Sequence, residues 1–334
     1  MSESLLEVVD LTVQFSTDEG MVTAVEDVSF DIAKGEVLGL VGESGSGKSV
    51  TARSLMQLNG ANTRYGQNSR IHLRLPDRPP LDILDLKREK DMGLVRGGAI
   101  SMIFQEPMAS FAPAITVGDQ MVEQLLLHTS MTPAKARKWS VEMLDRVGII
   151  EPDKRFDQFA FEFSGGMRQR AMIAMALSTN PSLLIADEPT TALDVTIQAQ
   201  VLTLVRELVA EFGMGVLFIT HDLGVIAQTA DRVAVMYLGK VLETGPVRSV
   251  LRNPQHPYTK GLLDALPKLD DLSAPLTPIP GDIPSPLERP SGCVFHTRCP
   301  HHVPGGPCET TVPPMVEVLP GHRAAALCIG GLSQ

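Results

Sequence analysis

Aromatic side chains are scarce in this sequence. Phe, Trp and Tyr make up 4% of 334 residues. So thin a supply argues against the stacked aromatic platform on which single-stranded nucleic acid is bound. Excess positive charge is missing as well. Against 29 Lys and Arg stand 39 Asp and Glu, a formal net charge of −10. That balance argues against general, basicity-driven binding of nucleic acid. No apolar run approaches the roughly 18 residues that a membrane span needs. The opening Met1-Ser2-Glu3-Ser4 has no basic stretch leading into an apolar core, so no export signal is expected. Cysteine is absent before Cys293. These absences point to a soluble, cytoplasmic chain.

What is present is unevenly spread. Hydrophobic residues reach 43%, enough to bury a full core. Length alone suggests about two domains at roughly 150 residues each. All four cysteines lie between Cys293 and Cys328, and fifteen of the 25 prolines lie between Pro254 and Pro320. Residues 1–250 therefore read as one object and 251–334 as another.

Leu38-Gly39-Leu40-Val41 is a short apolar run with the length of a buried strand. Directly after it comes Gly42-Glu43-Ser44-Gly45-Ser46-Gly47-Lys48-Ser49, then a helical stretch from Val50 to Leu58. This is G-x-x-x-x-G-K-S in the strand–loop–helix setting that gives the motif meaning. Glycines let backbone N–H groups turn inward around phosphates, and the helix N-terminus adds partial positive charge. Lys48 would reach the β- and γ-phosphates, Ser49 would ligate Mg²⁺, and Val50 begins the helix behind them. A second apolar strand, Leu183 to Ala186, ends in Asp187-Glu188. A carboxylate there is placed to hold Mg²⁺, and Glu188 is placed to polarise an attacking water. Together these motifs define a P-loop nucleotide hydrolase.

Phe163-Ser164-Gly165-Gly166-Met167-Arg168-Gln169-Arg170 narrows that class. It resembles the L-S-G-G-Q signature of ABC transporter ATPase subunits, with Phe163 and Met167 departing at the outer positions. Small residues opening a helix form a second anion cradle; Ser164 is also an ordinary N-cap. The resemblance implies that Ser164, Gly165, Gly166 and Met167 meet the γ-phosphate bound to an opposite subunit. It also implies further roles. Gln105, in Ile103-Phe104-Gln105-Glu106-Pro107, matches the Q-loop glutamine, beside Mg²⁺. Thr191-Ala192-Leu193-Asp194 resembles the D-loop. His221 matches the switch histidine on the γ-phosphate. Phe15 matches the adenine-stacking aromatic, though an alternating strand also places an aromatic there for packing.

The resemblance implies an α/β fold: a RecA-like P-loop core, an antiparallel β subdomain and a helical signature subdomain over about 108–180. Asn62 to Gly66 reads as loop, Ile71 to Leu75 as strand, and Met121 to His128 and Pro133 to Gly148 as helices.

The tail after Arg248, with Asn253-Pro254-Gln255-His256-Pro257-Tyr258-Thr259, resembles the C-terminal extension of the oligopeptide and dipeptide importer branch. Pro267 to Pro290 reads as a proline-rich connector that wraps the surface. Cys293, Cys299, Cys308 and Cys328 follow as C-x5-C-x8-C-x19-C. Clustered cysteines in a cytosolic chain suggest metal rather than disulfides. Irregular spacing without C-x2-C pairs favours a [4Fe–4S] cluster over Zn²⁺, with unliganded thiols as a third reading. The cysteines would then staple a tail too poor in apolar runs to build its own core. His296, His301 and His302 are alternative ligands.

The resemblance as a whole implies ATP hydrolysis by an ATP-sandwich dimer with a second ABC ATPase subunit, a related or an identical chain. That dimer would dock on two transmembrane permease subunits at the cytoplasmic face of the membrane, served by an extracytoplasmic solute-binding protein and without nucleic acid. The cargo leaves no mark here: peptides follow from the branch, while oligosaccharides, nickel, a non-transport soluble ABC ATPase or a metal-sensing regulator are the alternatives.

Overall fold

Apolar and polar residues alternate along β1 (Ser4–Thr17) and β2 (Gly20–Ala33), and the two pair as a long antiparallel hairpin. The computed structural model describes residues 4–76, 78–106, 110–190, 195–266 and 278–326. After the hairpin, β3 (Val37–Val41) runs into α1 (Lys48–Ser54). This helix stops four residues before Leu58. Gln57 turns left-handed at φ 48°, and the Asn59 amide donates to the Val50 carbonyl and the Ser54 hydroxyl, occupying acceptors at the helix end.

Next come β4 (Thr63–Tyr65), β5 (Arg70–Leu73), β6 (Leu81–Asp82), α2 (Glu89–Val95) and β7 (Ile100–Ile103). The stretch read as loop around Thr63 is in fact a strand. Three residues show no period, and the partner that orders them, Val13 to Phe15 on β1, is distant in sequence. Strands β1, β2, β4, β5 and β6 make one antiparallel sheet.

Four helices follow: α3 (Val117–His128), α4 (Pro133–Arg146), α5 (Pro152–Phe156) and α6 (Gly165–Ser178). Thr116 caps α3, and Pro133 sits at the start of α4, where its missing N–H costs nothing. The Arg137 guanidinium lies 4.0 Å over the Phe156 ring, and the Trp139 indole donates to the Ser178 carbonyl, so α4 holds α5 and α6 together.

The chain then builds β8 (Leu183–Asp187), α7 (Val195–Phe212), β9 (Gly215–Thr220), α8 (Leu223–Thr229), β10 (Arg232–Tyr237) and β11 (Lys240–Pro246). It closes with α9 (Val247–Arg252), α10 (Pro257–Asp264), β12 (Val316–Leu319) and β13 (His322–Ala324). The second sheet has the order β12-β13-β11-β10-β3-β9-β8-β7, and β10-β3-β9-β8-β7 is parallel.

Strands β3, β8 and β9 are buried along their whole length. Alternate residues feed opposite cores, as the two-residue period of a strand requires. Leu38, Leu40, Ile185 and Leu217 face the β1–β2 sheet. Val41, Leu184, Val216 and Phe218 face the helices.

The tail differs from expectation. Val294 and Phe295 are buried in the helix-side core, and β13 pairs with β11 in the main sheet. Tyr237, Tyr258 and Phe295 form an aromatic trio with centroids 4.7 to 5.3 Å apart. Burial therefore ties this segment to the rest. At about 25 cal/mol per Å² of apolar surface, one such ring contributes a few kcal/mol.

Candidate functional site

Register places the site. Across the parallel strands Val41 lies beside Thr220, Ile219 beside Asp187, and Ala186 beside Ile103. The residues just beyond those carboxyl ends therefore share one edge: Gly42 after β3, His221 after β9, Glu188 after β8 and Gln105 after β7. This is where open α/β sheets carry their ligand sites.

The loop between β3 and α1 wraps on itself. Lys48 donates to the Gly42 carbonyl at 2.8 Å, the Glu43 carbonyl at 2.9 Å and the Ser46 hydroxyl at 3.2 Å. Gly47 has φ 99°, and a Cβ there would lie 2.7 Å from the Ala24 carbonyl oxygen. At Gly42 a Cβ would lie 2.1 Å from the Met236 carbonyl oxygen. Neither position accepts a side chain, because the β10–β11 turn and β2 press against the loop. Gly239 N–H donates to the Ser46 carbonyl, and Glu26 N–H to the Gly239 carbonyl, both at 2.9 Å.

A cavity of about 220 Å³ opens over this loop. Ser44 to Val50 form its floor; Gln105, Glu188, Thr23, Ala24, Leu238 and Pro286 line the rest. The Ser49 hydroxyl donates to Asp187 Oδ1 at 3.1 Å. Glu188 sits at φ 48° just after β8. Its carboxylate receives the Gln105 amide at 2.9 Å and lies 3.2 Å from His221 Nδ1. Five residues from four separate segments thus converge: Ser49, Asp187, Glu188, Gln105 and His221.

Electrostatics follow from depth. Burial holds the Lys48 ammonium below its ordinary pKa, against the upward pull of Glu188, Asp187 and Glu43. Burial raises the Asp187 carboxyl above its usual range; the Ser49 hydrogen bond opposes this, and neighbouring Glu188 adds to it. A divalent cation would relieve both carboxylates, and the oxygen donors Ser49 and Asp187 suit Mg²⁺.

Phe15 is half-buried opposite Val22 and packs against the core shared with β3. It does not line the cavity. Thr23 and Ala24 on the paired strand do. Ser164 and Gly165 are exposed and also lie outside their own chain's cavity. The Ser164 hydroxyl accepts from Met167 N–H at 3.3 Å and caps α6, with Gly166 in its first turn. Thr191, Ala192, Leu193 and Asp194 lie outside the described residues, as does Cys328. Cys293 N–H donates to the Cys308 carbonyl at 2.9 Å, and Cys299 packs against the same core. Among the described residues, however, no group of three or more His, Cys, Asp or Glu side chains gathers to hold a metal ion. The described cysteines thus do not by themselves fit a cluster or a zinc site.

The family described as ABC transporter matches residues 25–191, and the family described as the oligopeptide/dipeptide transporter C-terminal region matches 242–308. The oligopeptide transport ATP-binding protein OppD of Salmonella typhimurium is 50% identical over 321 residues, covering 96% of this chain and 92% of the relative. This chain belongs to the ATP-binding subunits of ABC transporters. Within that family it also resembles the dipeptide transport ATP-binding protein DppD of Bacillus subtilis, 50% identical over 90% of this chain and 88% of the relative. A dimeric ATP-binding cassette, MJ0796, solved in a post-hydrolysis state with ADP and Pi, aligns with a TM-score of 0.63 and 25% identity. That match covers 73% of this chain and 99% of the other.

Three wall residues of this ABC subunit carry no sequence signal. Thr23 and Ala24 are ordinary strand residues, and Pro286 sits in a proline-rich run where nothing marks one proline above another. Only the folded chain brings them to the cavity.

Proposed function

We propose that this ABC ATPase powers import of peptides, or of a chemically similar small solute, as one half of an ATP-sandwich pair. One observation carries the reading: Glu188 is held between Gln105 and His221 at the mouth of the phosphate loop. A carboxylate so placed can take a proton from, or orient, a water attacking the γ-phosphate. Gly42 to Val50 would cradle the phosphates through backbone N–H groups and Lys48, and Phe15 would flank the adenine. Ser49, Asp187 and Gln105 would hold Mg²⁺, which when bound supplies charge neutralisation at the phosphate oxygens. His221 would contact the γ-phosphate.

Ser164 and Gly165 are exposed on their own chain, with Gly166 and Met167 half-buried behind them, which supports use of this helix start by a second ATPase subunit; Thr191 to Asp194 would lie at the seam. Closure then follows from differential affinity, because only the closed pair offers both cradles to one ATP. Among the described residues no helix is long and apolar enough to cross a membrane. Membership of the peptide-importer branch supports a transport path in two separate permease subunits, with this chain peripheral on the cytoplasmic face and a solute-binding protein outside. Peptide cargo follows from OppD and DppD, whose names specify oligopeptide and dipeptide transport. For the tail, the spacing of the four cysteines is the ground for a [4Fe–4S] centre, which Cys293, Cys299 and Cys308 would form only together with Cys328.

Glu188→Gln tests the core of this reading. The variant should bind ATP, form stable pairs visible by light scattering, and hydrolyse on the order of 10²- to 10⁴-fold more slowly. Wild-type turnover in the variant would sink it.

A further inference from the structure

The proline- and cysteine-rich tail touches the phosphate loop directly. Arg298, in the tail, has a side chain only 4% exposed. Its two terminal nitrogens donate to the Glu43 carboxylate at 2.7 and 3.2 Å, a fork-on-fork pair. Its remaining donors hold the Pro280 and Ile279 carbonyls at 3.1 and 3.3 Å, on the strand of chain that leads to Pro286. Glu43 is the second residue of the phosphate loop. Its backbone N–H donates to the Tyr258 hydroxyl at 2.9 Å, and Tyr258 is fully buried on α10. Its backbone carbonyl accepts from Lys48 at 2.9 Å. Pro286, further along the tail, lines the cavity over the loop.

We propose that the C-terminal tail is a working part of the nucleotide site, in which Arg298 and Tyr258 position the phosphate loop through Glu43 and Pro286 completes the cavity wall.

Two physical effects act together. A glycine-rich loop gives up much backbone freedom when it closes on phosphate, so a loop fixed beforehand binds more tightly. A carboxylate on that loop also opposes an incoming polyanion unless its charge is paired, and Arg298 pairs it. The Lys48 ammonium senses the Glu43 charge, so the carboxylate is felt inside the site. Arg298 touches no reacting atom. It is a positioning residue, and it acts on nucleotide affinity rather than on the hydrolytic step.

This inference rests on the nucleotide reading of the loop, so the test separates the two. Equilibrium binding of a fluorescent ATP analogue is measured on the full-length chain with Mg²⁺, beside ATP turnover and the unfolding midpoint. Arg298→Ala should raise Kd and KM for ATP on the order of tenfold, with kcat at saturating ATP within about twofold. Adding Glu43→Gln to Arg298→Ala should recover most of that loss, because the unpaired charge is gone. A structural role alone predicts no such recovery. Tyr258→Phe keeps the ring in its core and removes only the hydroxyl, which accepts from Glu43 N–H and meets the Glu43 carboxylate. It should raise Kd severalfold at an unchanged midpoint, which keeps the test open if Arg298→Ala fails to fold. If wild-type binds no ATP, the nucleotide reading itself falls. If wild-type binds ATP and either Arg298→Ala or Tyr258→Phe binds equally well, the positioning role is overturned. Loss without recovery in the double variant overturns the charge-pairing half, and if the unfolding midpoint falls in step with affinity it overturns the positioning half as well.

Discussion

At the residue scale, Lys48 sets the electrostatics of the phosphate loop. Its ammonium is buried, and burial lowers its pKa despite three nearby carboxylates. The loop's own carbonyls hold it in place at 2.8 and 2.9 Å. A buried cation facing the center of a loop is worth most when an anion arrives, because the low local dielectric strengthens the pairing. Lys48→Ala should therefore weaken ATP binding on the order of tenfold to a hundredfold, given about 1.5–3 kcal/mol for one charged hydrogen bond. Isothermal titration with Mg-ATP measures this directly, and unchanged affinity would count against the loop as a phosphate cradle. Of the residues at this edge, Lys48, Ser49, Asp187 and Glu188 were legible in the sequence. Each lies in a motif whose spacing is local to one strand and its following turn. Thr23, Ala24, Pro286 and Arg298 were not, because their function comes from what lies across the fold from them.

At the element scale, α10 shows how the tail is fastened. His256 precedes it, and its Nδ1 accepts from Tyr258 N–H at 3.0 Å, capping the helix. Burial pushes the His256 pKa down to about 3. The His256 N–H and the Gln255 N–H both donate to the buried Glu243 carboxylate, which also meets His322 Nε2 at 2.7 Å. The sign of the acid response follows. Unfolded, His256 takes a proton near its ordinary value of about 6.5; folded, it stays neutral to about 3. The unfolded chain thus binds more protons in that window, and stability falls as pH drops through it, by at most about 1.4 kcal/mol per pH unit from this group. His256→Asn keeps a side-chain acceptor for the cap and removes the titration. Denaturant unfolding at pH 7 and pH 4.5 should show a smaller drop for the variant than for wild type. Equal drops would assign the acid sensitivity elsewhere. Boundaries at this scale followed cap chemistry: Pro133 at the start of α4 was readable, whereas α2 and β4 were not. Both are short, and β4 exists because β1 supplies its hydrogen bonds.

At the scale of the whole molecule, the tail is joined to the motor in three ways. It extends the sheet through β13, buries Val294 and Phe295 in the helix-side core, and reaches the phosphate loop through Arg298. The expectation that metal rather than burial would hold it is therefore revised in part: burial holds much of it. The cysteine centre we propose requires Cys328 to close on the other three. Protein purified without oxygen should then be brown, with broad visible absorbance and about four irons per chain, and Cys328→Ser should lose both. Colourless, iron-free protein would remove the cluster, and one zinc per chain would replace it.

The sequence by itself determined the chemistry of the phosphate loop, the acidic strand end and the capped signature helix. Those features are made of neighbouring residues, and their spacing is their geometry. It also marked the change of character near residue 250. Only the tertiary structure decided which strand ends share an edge, because parallel register between β3, β9, β8 and β7 is set by cores on both faces of the sheet. The same holds for the tail. Two hundred and fifty-five positions separate Arg298 from Glu43, and no local pattern anticipates a contact that two buried segments create.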